Sequence, residues 1–292
     1  MTVNIGIALA LLCALTTNLA FLYKHRGACR APDVEWTHPV RSAVALFRSK
    51  WFAIGMLVAV GAWVLHVAAM ALAPLSLVQA VISGGLVLLA VLAERVFGFK
   101  VGRRQWIGVA FTALGLALLA VTLPSAGGAH ASYSTAGMVI FEAGLLAAGI
   151  LLVLFPKLGA PHHHHGVVLG TAAGILFGVS DVSIKALTGA VGVSGASGLV
   201  SPWLLTCIAA SVIAFFASAR GLQKGDAVPV ITTTSAAANV TAIAGGISVF
   251  GDPLPGDIWG MIAQFVAFGL VIAAAALTPA PLRAAGAAPA RA

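Results

Sequence analysis

Residues 51–104 read WFAIGMLVAVGAWVLHVAAMALAPLSLVQAVISGGLVLLAVLAERVFGFKVGRR. Two apolar runs, 51–73 and 75–96, meet at Ala73-Pro74 with no charge between them, and Arg95, Lys100, Arg103 and Arg104 close the stretch. Each run has the ~20 residues that a helix needs to cross ~30 Å of hydrocarbon at ~1.5 Å per residue. Outward from this stretch the pattern repeats, with apolar runs at 2–23, 106–123, 137–155, 166–188, 199–219, 227–250 and 258–278. Fifteen of the 16 Lys and Arg residues fall in every second gap. The first gap holds Lys24, Arg26, Arg30, Arg41, Arg48 and Lys50; later ones hold Lys157, then Arg220 and Lys224, and the tail Arg283 and Arg291. The gaps between them hold none. Short basic loops stay in the cytoplasm. The sequence therefore predicts an all-α, polytopic membrane protein with nine transmembrane helices, N-terminus out and C-terminus in, multi-pass in the cell inner (plasma) membrane.

Composition excludes other classes. Hydrophobic residues make up 60% of 292 and charged residues 8%, too few to cover a soluble globule of this size. The net charge of +8 lines one face of the membrane rather than forming a compact patch, so anionic lipid headgroups are its expected partners and nucleic acid is not. Cys13 and Cys207 lie inside apolar runs and Cys29 in a loop, with no disulfide framework or zinc spacing. The first run lacks a basic leading flank and a small-residue cleavage site, which reads as an anchor rather than a cleaved signal. No Walker loop or HExxH stretch is present and the longest basic gap is short, so an enzyme and a cofactor are not expected.

The chain also repeats itself. Val96-Phe97-Gly98, seven residues, then Trp106 recurs as Val249-Phe250-Gly251, seven residues, then Trp259, a shift of 153. Pro74 and Pro229 mark the helix start before each copy. Gly27-Ala28 and Gly189-Ala190 extend the match to the first helix of each half. One transmembrane domain over 1–278 follows, with repeat one about 2–123, a central helix about 137–155 and repeat two about 166–278. The Ala/Pro-rich tail 279–292 is expected to be disordered. Repeats offset by five helices are inverted across the bilayer, an arrangement that puts a transport site at their interface. Residues 41–50 (RSAVALFRSK) read as a short interfacial helix.

Leu72-Ala-Pro-Leu-Ser-Leu-Val-Gln79, an apolar helix ending Ala93-Glu94-Arg95, and Gln105-Trp106-Ile107-Gly108 resemble the drug/metabolite transporter superfamily (EamA-like). The nine-helix count and N-out orientation resemble its NIPA-type magnesium-transporter branch most. The resemblance covers roughly residues 2 to 278. It implies a carrier whose site lies between two four-helix halves; its motifs are degenerate small and apolar residues and name no substrate.

Charges inside a bilayer cost roughly 2.5–3.5 kcal/mol each on insertion scales, so each needs a reason. Asp181 and Lys185 are four apart, acid before base, which suits an intrahelical ion pair. Gly170, Gly174 and Gly178 precede them, small residues that let another helix pack close. Asp181, Lys185, His66, Gln79, Asn239 and Gln264 are the expected transport-cavity residues, in a vestibule open to the outside. Glu142 is a candidate for proton coupling. His162, His163, His164 and His165 form a tract whose imidazoles can take transition metals. Between Pro161 and Gly166 the tract lacks fixed geometry, so a solvated linker is expected there and no metal is assigned. The leading expectation is a secondary transporter of a small solute by alternating access. A divalent-cation (magnesium) transporter of the NIPA kind is the alternative, and a non-transporting membrane scaffold or lipid-binding subunit the third. Expected partners are lipids, a small-molecule or ion substrate, and at most a second copy of the chain as a homodimer.

Overall fold

The computed structural model describes residues 2–82, 84–85, 132–155, 165–225, 227–252 and 254–277, with single positions between 103 and 118. The rest of the 75–96 run, most of the 106–123 run, Val96-Phe97-Gly98, Trp106, His162 to His164 and the 279–292 tail lie outside the described residues. So does the repeat match built on them. The described part is all helical: α1 (Thr2–Ala28), α2 (Pro39–Arg48), α3 (Lys50–Leu72), α4 (Thr135–Leu154), α5 (His165–Ser194), α6 (Pro202–Lys224), α7 (Ala227–Ser248) and α8 (Ile258–Leu277). A further helical stretch covers 75–82, and a 3-10 turn, Gly195–Leu199, joins α5 to α6. α1, α3, α4, α5 with its turn, and α6 are each long and apolar enough to cross a membrane. Their outward faces are apolar, with Leu57, Ile140 and Leu205 all more than 70% exposed. This is the make-up of a multi-pass membrane protein, since water would not tolerate so much bare hydrocarbon.

Local chemistry sets the boundaries. Pro74 disfavours helical backbone at the residue before it, and α3 ends on an extended Ala73. Ser201 caps α6 by accepting the Trp203 N–H, with Pro202 in the first turn, where its missing donor costs nothing. α6 runs past the apolar stretch to Lys224 because its polar end has partners. Gln223 donates to the carbonyls of Ala28 (3.3 Å) and Pro32 (2.9 Å), and accepts the Val34 N–H (2.8 Å). α2 forms as the sequence predicts, with Leu46 buried and Val40, Val44 and Phe47 exposed beside Arg41 and Arg48.

α1 packs along α3, and α5 along both α6 and α7. Glycines allow the close approach. A Cβ on Gly174 would strike the Thr234 carbonyl, and one on Gly178 would strike Thr241, both on α7. Gly170 lies against Val230 and Thr233 in the same way. The three glycines predicted as packing residues therefore sit in one helix–helix seam.

Contacts define two ends of the bundle. At one end the close of α1, the 29–38 loop, α2 and the close of α6 meet, bringing Arg220 and Lys224 to the basic segment after α1. Asp33 Oδ2 lies 2.6 Å from Lys224 Nζ and 3.1 Å from Arg220 Nη1. The Lys224 hydrogen bond, helped by Arg220, holds the Asp33 carboxyl below the usual carboxylate range against a smaller opposing effect of burial. A depressed value in the folded state means stabilisation that is present above the ordinary carboxylate value of about 3.9 and lost as pH falls through the folded one. The Asp33 side chain is 55% exposed, so the gain is small and salt-screened. Asp33→Asn should lower the unfolding temperature in detergent by at most about 4 °C at neutral pH and low salt. The difference should vanish in acid and at ~1 M salt.

Candidate functional site

A cavity of about 430 Å³ lies between the helices, lined from α1, α3, the 75–82 stretch, α5, α6 and α7. Four of the residues singled out from sequence line it together: His66, Gln79, Asp181 and Asn239. Gln79 Nε2 donates to Asp181 Oδ2 at 2.9 Å and lies 3.1 Å from His66 Nε2. His66 Nε2 is 3.9 Å from Asp181 Oδ1, and both side chains are 14% exposed. Asp181 is the one carboxylate on the cavity wall among the described residues. Asn18, Thr17, Ser180, Ser211, Thr234 and Ser235 add neutral oxygens, and Lys24 reaches the wall from near the basic end.

Within about a turn of the lining residues, Ala10, Met70, Leu75, Ala186 and Ala242 pack into one apolar cluster. Toward the basic end, Phe21, Phe52 and Leu222 line the cavity and belong to a second cluster. Apolar clusters thus lie at both ends of the described lining. The cavity's flank meets the surface at Val60 and Trp63, 55% and 53% exposed.

Lys185 is elsewhere. The intrahelical pair with Asp181 does not form; Lys185 is fully buried, and its Nζ donates to the carbonyls of Met70 (2.9 Å) and Ala73 (3.0 Å). Those carbonyls belong to the last turn of α3, where a cation meets the negative end of the helix dipole. Three residues past Ala73, the chain does the converse. Asp252, also buried, accepts the Ser76 N–H (2.7 Å) at the start of the 75–82 helix, where an anion is favoured. Lys185 and Asp252 thus grip the two sides of the Ala73-Pro74 turn. Sequence spacing pointed to the nearer partner. The backbone carbonyls that Lys185 actually uses leave no signature in side-chain spacing.

Gln264 is buried on α8, away from the cavity lining, with Oε1 lacking a hydrogen-bond partner. Glu142 is buried on α4 and also lies off the cavity; Ser183 donates to its Oε1 at 2.5 Å. His165 opens α5. Among the described residues no three His, Cys, Asp or Glu side chains come together as a metal site. Asn18 donates to the carbonyls of Gly85 (2.6 Å) and Ala14 (2.9 Å), so it ties α1 to the segment after Pro74 as well as facing the cavity. The sequence signal for Lys24 was masked by its place in a basic loop cluster.

No family model matches this chain, and no solved structure matches it. One curated relative does match. The chain is 27% identical over 284 residues to the probable magnesium transporter NIPA9 of Arabidopsis thaliana. The alignment covers 91% of this chain and 79% of the relative.

Proposed function

We propose that this chain is a secondary transporter of the NIPA-type branch of the drug/metabolite transporters, carrying a divalent cation, Mg2+ first among candidates, by alternating access. The observation that carries the reading is Asp181. A carboxylate from the second half of the chain is held in an internal cavity by Gln79 and beside His66, both from the first half. The similarity along nearly the whole chain to a probable magnesium transporter supports the same cargo.

The cavity suits a hydrated ion. Mg2+ dehydrates reluctantly and is commonly bound through one or two carboxylates while keeping several waters. At about 30 Å³ per water, six waters occupy roughly 180 Å³, well within the 430 Å³ available. One carboxylate then neutralises part of the charge, and amide and hydroxyl oxygens accept from the bound waters. A scaffold would have no use for polar groups that face one another across such a space.

The two-half arrangement has independent support. α1 packs along α3 as α5 packs along α6. α1 meets the segment after α3 at Gly85 as α5 meets α7 at Gly174 and Gly178. Nine spans, N-out and C-in, follow from the basic gaps; cysteine labelling of 124–136 from outside and of 156–165 from inside tests them.

The direct test is reconstitution into liposomes holding a Mg2+-sensitive dye. Saturable Mg2+ entry, absent from empty liposomes, is expected. No flux of any divalent cation from a folded protein would sink the reading. The second reading, an organic solute, has the aromatic walls Phe21, Phe52, Trp63, Phe177 and Phe215 in its favour. The volume also lies in the ~300–1,000 Å³ range of small-molecule sites. Competition of organic cations with Mg2+ for entry separates the two.

A further inference from the structure

We propose that the corner where Arg26, Lys50 and Trp51 meet is a binding site for an anionic phospholipid, whose headgroup phosphate lies between the guanidinium and the ammonium. None of the three lines the cavity, so the site is independent of what the cavity carries.

Chain continuity sets the depth of this corner. α2 ends at Arg48, Ser49 is extended, and Lys50 and Trp51 open α3. On α2 the exposed Val40, Val44 and Phe47 recur at i, i+4 and i+7, which makes one apolar stripe. Arg41 and Arg48, both exposed, stand about a quarter-turn round the helix from it. A stripe suited to acyl chains beside a row suited to headgroups puts α2 at the membrane interface. Lys50 follows two residues later. Trp51 therefore falls at the level where indoles collect in membrane proteins.

The charges at the corner lack an anion. Arg26, in the last turn of α1, holds its Cζ 4.1 Å from the centre of the Trp51 ring, and Lys50 Nζ lies 5.6 Å from the same ring. The two positive charges are thus no more than about 10 Å apart. Tyr23 stacks on the indole at 5.8 Å and steadies it. The ring attracts both cations but offers none of the oxygen acceptors that a guanidinium fork or an ammonium uses. The nearby carboxylates are engaged elsewhere, Asp33 with Lys224 and Arg220, and Glu35 with His38 at 3.4 Å. Among the described residues no carboxylate pairs with Arg26 or Lys50, and both are exposed. A phosphodiester supplies what is missing, a negative charge with oxygens for the bidentate fork and the ammonium together. A zwitterionic lipid brings its own cation and cancels that charge, so a net-negative headgroup is favoured. Free phosphate lacks the acyl chains that concentrate a lipid at this depth.

The test uses the full-length chain in detergent, titrated with dioleoyl phosphatidylglycerol or dioleoyl phosphatidylcholine, with bound lipid counted by native mass spectrometry. Phosphatidylglycerol should bind and outcompete phosphatidylcholine. Arg26→Gln and Lys50→Gln should each weaken it about fivefold, and the double variant about 25-fold. Arg26→Lys keeps the charge without the fork and should lose less than Arg26→Gln. The double variant Arg30→Gln, Arg41→Gln removes the same charge at positions with no described contact to Trp51. It should cost under about twofold at ~0.15 M salt, where the screening length is ~8 Å. Unfolding temperatures without lipid check that each variant folds, and Lys50→Gln alone carries the test if Arg26→Gln does not. Equal binding of the two lipids would overturn the proposal. So would an equal loss in the Arg30, Arg41 variant, which would make the attraction diffuse. Displacement of phosphatidylglycerol by millimolar inorganic phosphate would overturn it too, since the ligand would then be a free anion.

Discussion

Lys185→Met will destabilise the protein by roughly 3–5 kcal/mol, the cost of stripping one partner from a buried charged network. The substitution keeps most of the side-chain volume, so lost packing contributes little. What is lost is the ammonium on Met70 O and Ala73 O, and with it the positive charge that offsets buried Asp252. Expression and thermal unfolding in detergent are the measurements. Adding Asp252→Asn should restore part of the loss, because it removes the uncompensated anion while keeping a group that can accept the Ser76 N–H. Adding Asp181→Asn should not. Asp181 bonds to Gln79 and neighbours His66 rather than Lys185, and groups without shared partners add independently. Rescue by Asp181→Asn, or a Lys185→Met protein as stable as wild type, would refute this account of the turn.

Asp181→Asn should fold and transport Mg2+ with a much weakened apparent affinity. Asparagine keeps an oxygen for the Gln79 amide, so the link between the halves survives. The charge that attracts the cation does not. A hydrogen bond or ion contact to a charged group is worth about 1.5–3 kcal/mol, which converts to a loss of about 10- to 100-fold in apparent affinity for Mg2+. Asn239→Ala, which removes only a neutral amide from the same wall, should cost under about tenfold. The flux assay reads both. Asp181→Asn transport within twofold of wild type would take Asp181 out of the site.

Much of the architecture was legible because hydrocarbon imposes its own length and charge rules. The apolar runs at 2–23, 51–73 and 137–155 reappear as α1, α3 and α4 within a few residues, and the glycines of α5 meet α7 as their spacing suggested. The cavity was half legible. Buried polar side chains are too costly in lipid to be idle, which singled out His66, Gln79, Asp181 and Asn239. Spacing could not say which polar groups face inward together, so Gln264 was grouped with them although it does not line the cavity. Lys185 was misassigned for a sharper reason. An i, i+4 acid and base look like a pair in sequence, but the two unsatisfied carbonyls at the end of α3 made the stronger claim on the ammonium.

The length of α5 sets a condition on the surrounding bilayer. At ~1.5 Å per residue, its 30 residues extend about 45 Å, against a hydrocarbon thickness of ~30 Å. Tilt alone would need an angle near 50°, beyond the usual range, so part of the helix must project past the acyl chains. Asp181 sits just past the middle of this helix, and Lys185 one turn further on is pinned to the end of α3. Thinning or thickening the bilayer would change the lean of α5 against α3 and α7, and carry the carboxylate with it. The lipid composition of the host membrane is thereby coupled mechanically to the geometry around a single acidic side chain.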